Sequence, residues 1–236
     1  MTPAPAPAPG SAPITVACLD MAGTTVADDG SVIAAFSAAV EQFGLPQGTP
    51  GYGEALAYVH RTMGQSKIEV FRHILGAEEA AQKANGLFEE HYAASVQGGA
   101  VAALPGAAET IAALRAAGIK VCLATGFSPA TRDALLDALG WRPLIDLALS
   151  PTDAGRGRPW PDLPLTALLR LGGGAVTELL VAGDTASDVE SGLRAGAGLV
   201  AGVLTGSASR PELEKAGAPH VLDAIDGLLP LLGIGG

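Results

Sequence analysis

Val16-Ala-Cys-Leu-Asp-Met-Ala-Gly-Thr-Thr-Val26 joins an apolar run to a sharp Gly-Thr-Thr turn. The run from Ile14 to Leu19 predicts a buried strand that delivers Asp20 to a turn whose backbone N–H groups remain free to meet an anion. An aspartate beside such a turn often does no more than hydrogen-bond its own backbone. Three further stretches, each placed at the end of a predicted strand, favour a functional aspartate.

Working outward from Asp20, the pattern changes from strand to helix. Val32, Ile33, Phe36, Val40 and Phe43 recur at helical spacing and stop at Gly44-Leu-Pro46, and further helices are expected over about 52–61, 66–75 and 78–95. This is an all-helical block. Pro105-Gly106 opens a different rhythm: helix 107–117, strand 120–124, helix 129–139, strand 144–149, helix 163–171, strand 178–182, helix 187–195, strand 199–204 and a closing helical tail. Strands alternating with helices across short loops predict an α/β fold, a doubly wound parallel sheet with helices on both faces. The first strand then belongs with the later ones, and the helical block is an insertion. The expected division is a disordered Pro/Ala tail at 1–13, a core domain of 14–31 with 101–236, and a helical cap domain over 32–100. In such sheets ligands bind beyond the carboxyl ends of the strands, which is where Asp20, Thr125 and Asp184 all fall.

The composition limits the function classes. A chain of 236 residues, 48% hydrophobic, can bury one good core and a small insert. With 32 Gly and only 4% aromatic residues, close helix-on-sheet packing is favoured over an aromatic sandwich. A net charge of −10 and the absence of a Lys/Arg run argue against a nucleic-acid partner. An acidic protein that takes an anionic ligand needs a metal ion or local cations at the site. Cys18 and Cys122 lie inside apolar runs and read as buried thiols, in keeping with a cytoplasmic setting. Residues 1–13 lack the basic and apolar segments of a signal peptide, and no apolar run approaches the roughly 20 residues of a membrane span.

Three downstream stretches carry the chemistry. Ala124-Thr-Gly-Phe127 precedes Ser128-Pro129, a good helix cap and first-turn pair, so the Thr125 hydroxyl and the helix N-terminus can hold phosphate oxygens. In Gly155-Arg-Gly-Arg-Pro-Trp160, Arg158 is the candidate phosphate clamp and Arg156 its solvated neighbour. Gly183-Asp-Thr-Ala-Ser-Asp188 sets two carboxylates at i and i+4 about a helix start. Either could cap the helix, but with Asp20 they make an acidic trio suited to a hard cation such as Mg²⁺.

These four motifs, in this order, resemble the haloacid dehalogenase superfamily, and the resemblance covers nearly everything after residue 13. Its phosphatases carry a second Asp two residues after the first, as general acid, and a Lys in the third motif; here Ala22 and Arg158 stand instead. Those departures, together with Gly23-Thr-Thr25, Thr125-Gly126 and Gly157-Arg-Pro159, resemble the phosphonatase branch. That branch places a Schiff-base lysine in the cap within Met-Gly-x-x-Lys, which Met63-Gly-Gln-Ser-Lys67 matches. The branch's Tyr, Cys and His near that lysine correspond here to Phe127, to Gly30 or Ser31, and to Val70; His73 falls on another helix face.

What the resemblance implies is a Mg²⁺-dependent hydrolase working through an aspartyl-phosphate. Asp20, Lys67 and Arg158 would be catalytic, and Thr24, Met63, Thr125, Gly126 and Arg158 would bind substrate. Asp20, the Ala22 carbonyl, Asp184 and Asp188 would hold the metal. Alanine at 22 cannot protonate an ester's leaving group, whereas an iminium on Lys67 can accept the electrons of a carbon–phosphorus bond. The expected substrate is phosphonoacetaldehyde or a related carbonyl phosphonate. The alternatives are a phosphatase for a small ester such as phosphoglycolate, and a catalytically silent phosphate or metabolite sensor. The expected partners are that small substrate and, as an open alternative, a second copy in a homodimer, with no nucleic acid and no membrane.

Overall fold

The computed structural model describes residues 13–27, 30–99 and 101–235. The expected tail at 1–13 lies outside these apart from Pro13. The first strand, β1 (Val16–Asp20), is fully buried along its length. Ala17 and Leu19 pack into one apolar cluster and Val16 and Cys18 into another. A strand with both faces covered has no polar side to show, which is why it reads as an unbroken apolar run.

Four helices follow: α1 (Ser31–Glu41), α2 (Pro50–Arg61), α3 (Lys67–Leu75) and α4 (Glu78–Gln97). The start of α2 is set by Thr49, whose hydroxyl accepts the Tyr52 N–H at 3.3 Å, with Pro50 in the first turn. The two ends of this helical insert run side by side, since Ala27 N–H donates to Ala102 C=O at 2.9 Å and Leu104 N–H to Thr25 C=O at 3.0 Å. Phe36, Phe71, Phe88 and Tyr92 form an aromatic row through the insert.

The remainder alternates: α5 (Ala107–Ala116), β2 (Lys120–Ala124), α6 (Pro129–Leu139), β3 (Leu147–Leu149), α7 (Pro151–Ala154), α8 (Asp162–Arg170), β4 (Leu179–Gly183), α9 (Ala186–Ala195), β5 (Leu199–Val203), α10 (Arg210–Lys215), β6 (His220–Leu222) and α11 (Leu228–Leu231). All six strands are parallel, in the order β3-β2-β1-β4-β5-β6. The expected doubly wound α/β sheet with an inserted helical block is therefore the fold. Asp20 pairs in register with Ala124, and Leu19 with Ala182, so the loops after β1, β2 and β4 open at one edge. No helix among the described residues is long and apolar enough to cross a membrane.

Two local expectations need correction. Residues 144–149 are not one strand: Arg142–Leu144 form a 3₁₀ turn with Pro143 in its first positions, and only Leu147–Leu149 pair with β2. Between them Asp146 exchanges bonds with Val121, its carboxylate taking the Val121 N–H at 2.9 Å. The closing segment is not all helical either, because β6 adds a sixth strand to β5. Three residues on an edge leave no apolar run to read.

Candidate active site

At the carboxyl edge of the sheet β1 presents Asp20, and the next turn closes tightly, with Thr24, Thr25 and Val26 N–H groups all aimed at the Met21 carbonyl. Gly23 has φ +83°, and a Cβ there would lie 2.7 Å from the Asp184 carboxylate, so the close approach requires glycine. No hydrogen bond to the Ala22 carbonyl is formed among the described residues, and Ala22 lines the cavity beside Asp20.

β4 delivers Asp184, and α9 carries Asp188 in its first turn. Thr185 caps that helix and Asp188 completes the capping box, so the capping role weighed for Asp188 from sequence is real. Its other oxygen nevertheless faces Arg158. Asp20, Asp184 and Asp188 each bring a carboxylate oxygen within 4.8 Å of the others, and all three are buried. Burial pushes the Asp20 carboxyl well above the usual carboxylate range, opposed by the Arg158 charge and reinforced by repulsion from Asp188 and Asp184. Asp184 is also raised, by burial and then by Asp188, while the Ser207 N–H and Thr24 hydroxyl pull the other way.

Arg158 is 6% exposed and donates through Nη1 to Asp20 at 2.6 Å and to Asp188. Burial alone would favour its neutral form, but Asp188 and Asp20 outweigh that and hold it firmly protonated. Its Nε finds no hydrogen-bond partner although buried. One guanidinium against three carboxylates leaves a site of net negative character, and such an oxygen donor set fits a hard divalent cation.

Lys67, Met63, Thr125 and Gly126 line a cavity of about 250 Å³ together with Asp20, Ala22, Arg158 and Asp184. Lys67 begins α3, and its Nζ sits 5.4 Å from the centre of the Phe127 ring. Gly126 must be glycine, because a Cβ would lie 2.4 Å from the Gln65 carbonyl of the insert. The cap predicted at Ser128 forms, its hydroxyl accepting the Thr131 N–H at 3.3 Å. Lys67, Gly126, Phe127 and Arg158 also border a larger cleft of about 990 Å³ between insert and sheet.

Thr24 stands differently from its expected place. It is fully buried, and its hydroxyl donates to Asp184 Oδ1 at 3.2 Å behind the cavity wall. Val70 is core, His73 stacks on Tyr58 at 3.8 Å, and Arg156 is an exposed partner of Asp162 lying on Trp160. Sequence reasoning missed Gly206 and Ser207, whose loop after β5 holds Asp184 through Ser207 N–H at 2.8 Å. A Cβ on Gly206 would lie 2.0 Å from that carboxylate. It also missed His60, in the last turn of α2, which lines the same cavity three residues before Met63.

A model of haloacid dehalogenase-like hydrolases matches residues 14–196. Among curated proteins, the chain is 28% identical to Probable phosphatase IndB of Dickeya dadantii over 86% of each chain. It is 29% identical to a phosphonoacetaldehyde hydrolase of Parabacteroides distasonis, over 80% of this chain and 75% of that one. Among solved structures, a phosphonoacetaldehyde hydrolase-like protein from Oleispira antarctica superposes with TM-score 0.79 at 26% identity, covering 94% of this chain and 92% of the other.

Proposed function

The chain belongs to the haloacid dehalogenase-like hydrolases, and on that premise we propose that it cleaves the carbon–phosphorus bond of a small carbonyl phosphonate such as phosphonoacetaldehyde. The observation that carries this reading is the pairing of Lys67 and Asp20 in one cavity where position 22, an alanine, has no proton to give. In this reading the Lys67 amine condenses with the substrate aldehyde, losing water to give an iminium. An Asp20 carboxylate oxygen attacks phosphorus; the carbon–phosphorus bond breaks and its electron pair passes into the enamine. Water then hydrolyses the aspartyl-phosphate, and protonation and hydrolysis of the enamine release the aldehyde and free Lys67.

The other residues serve that sequence by placement. Arg158 holds Asp20 and brings a fixed positive charge to the cavity for the phosphoryl group, while Thr125, Gly126 and Met63 bound the substrate. Thr24 acts indirectly by fixing Asp184. Asp20, Asp184 and the Ala22 carbonyl are the ligands proposed for Mg²⁺, with Asp188 behind them, and the ion would neutralise the site and draw the phosphoryl group toward Asp20. The insert, over residues 32–100, serves as a cap that carries Lys67 to the core.

The test pairs a phosphate-release panel of phosphonates and phosphomonoesters with borohydride trapping. Release from phosphonoacetaldehyde with a covalent adduct on Lys67, both lost in Lys67→Arg, supports the reading. Wild-type cleavage by Lys67→Arg overturns it. The likeness to a named phosphatase favours a second reading, hydrolysis of a small phosphate ester, which predicts ester turnover and no trapped adduct.

A further inference from the structure

Helix α6 begins directly after the Thr125–Ser128 loop that borders the catalytic cavity, and its first turn holds no acidic residue. A helix N-terminus attracts negative charge. Here the charge is supplied from the insert. Glu89 of α4 takes the Ser128 backbone N–H on Oε1 at 3.3 Å and the Ser128 hydroxyl on Oε2 at 2.6 Å, and the Thr131 hydroxyl also donates to Oε2. Beside this contact Phe88 of the same helix stacks on Phe127 with ring centres 6.2 Å apart, and Tyr92 packs on it at a tilt with ring centres 4.5 Å apart.

We infer that Glu89 is a positioning residue, a polar latch that holds the helical insert closed over the catalytic cavity and fixes the phosphate-facing 125–128 loop through Ser128 and Thr131. The chemistry suits a contact that must open and close. Hydrogen bonds from two hydroxyls and an N–H to a half-buried carboxylate are net favourable, enough to bias the insert toward closure, and on opening each group regains water. The lysine proposed to react sits on the insert and the aspartate on the sheet, so the pair is assembled only when insert and sheet are joined. The inference concerns closure and holds whichever phosphorus compound is cleaved.

The test uses the full chain with spin labels on Glu79→Cys in the insert and Asp223→Cys on the core, both exposed, while the native Cys18 and Cys122 are buried. Interspin distances are read by pulsed electron resonance, and inorganic phosphate binding is measured with Mg²⁺ present. Glu89→Ala is expected to move a substantial population to longer distances and to weaken phosphate binding about tenfold. Glu89→Gln should fall between Ala and the parent, since it keeps the shape but loses the charge. Thr131→Val, which removes one donor and leaves the Ser128 cap in place, should weaken binding about twofold to threefold. With a turned-over substrate, KM should rise more than kcat falls. If Glu89→Ala fails to fold, the Gln and Val variants carry the same comparison. Unchanged distances together with phosphate affinity within about twofold of the parent overturn the latch, and neither readout requires carbon–phosphorus cleavage.

Discussion

Arg158 holds Asp20, with Nη1 donating to Oδ1 at 2.6 Å, and the same nitrogen reaches Asp188, so one guanidinium ties the end of β1 to the first turn of α9. A lysine offers one flexible, strongly hydrated point charge in place of the rigid planar guanidinium that sets this nitrogen between the two carboxylates. Arg158→Lys is therefore expected to lower kcat/KM by about 10²- to 10³-fold with the fold retained. Arg158→Ala strands two buried carboxylates and should cost about 3–5 kcal/mol in metal-free protein. Steady-state kinetics and denaturant unfolding check the two arms.

Asp20 is the proposed nucleophile, and an amide cannot form the acyl-phosphate. Asp20→Asn is nearly isosteric and relieves a buried charge, so thermal stability should hold or rise while activity drops below about a thousandth of the parent. Turnover above that level, measured as phosphate release on protein free of the parent enzyme, would remove Asp20 from its proposed role.

Asp184 links the site to pH. Its folded-state carboxyl is raised, by burial first and by Asp188 second. A raised carboxyl favours folding fully at pH below the unfolded value, and that contribution is lost as pH rises through the folded value. Metal-free protein should accordingly lose stability across that rise, and Asp184→Asn should flatten the slope. A Mg²⁺ ion held by Asp184 as proposed would bind the deprotonated form, so it should raise Tm more at about pH 8 than at about pH 5, where protons compete. Thermal unfolding with Mg²⁺ or chelator at both pH values measures this. An undiminished Mg²⁺ effect in Asp184→Asn would place the ion elsewhere.

Much of this arrangement was legible because the residues concerned are local. The doubly buried β1 announces itself as an apolar run, and Ser128-Pro129 marks the start of α6 by cap chemistry alone. What escaped depends on contacts between distant segments. Thr24 could be read as facing phosphate, but the fold turns its hydroxyl onto Asp184. Gly206 and Ser207 have no pattern of their own and matter only because β5 lies beside β4. Glu89 belongs to no motif, and its contact with Ser128 exists only because α4 lies against α6. The short β6 exists through its pairing with β5, which no propensity of three residues could signal.

Phe127 offers the sharpest probe of Lys67. The ring lies 5.4 Å from Nζ, is itself buried, and is backed by Tyr92 and Phe88. A cation over an aromatic face gains about 0.5–2 kcal/mol, and the ring also fixes where the amine stands. Phe127→Leu keeps an apolar side chain of similar reach and removes the face. If Lys67 forms an imine, the iminium is the cation that the ring would stabilise, so borohydride trapping with an aldehyde should slow by about 2- to 30-fold, the range that the lost attraction allows. Mg²⁺-dependent binding of inorganic phosphate should stay within about threefold of the parent, because Thr125, Arg158 and the carboxylates are untouched. That split, slower covalent capture with phosphate binding preserved, is what a positioned reactive amine requires. Equal loss of both would mean that Phe127 acts by supporting the 125–128 loop, and no change in trapping would show that the ring does not govern the amine.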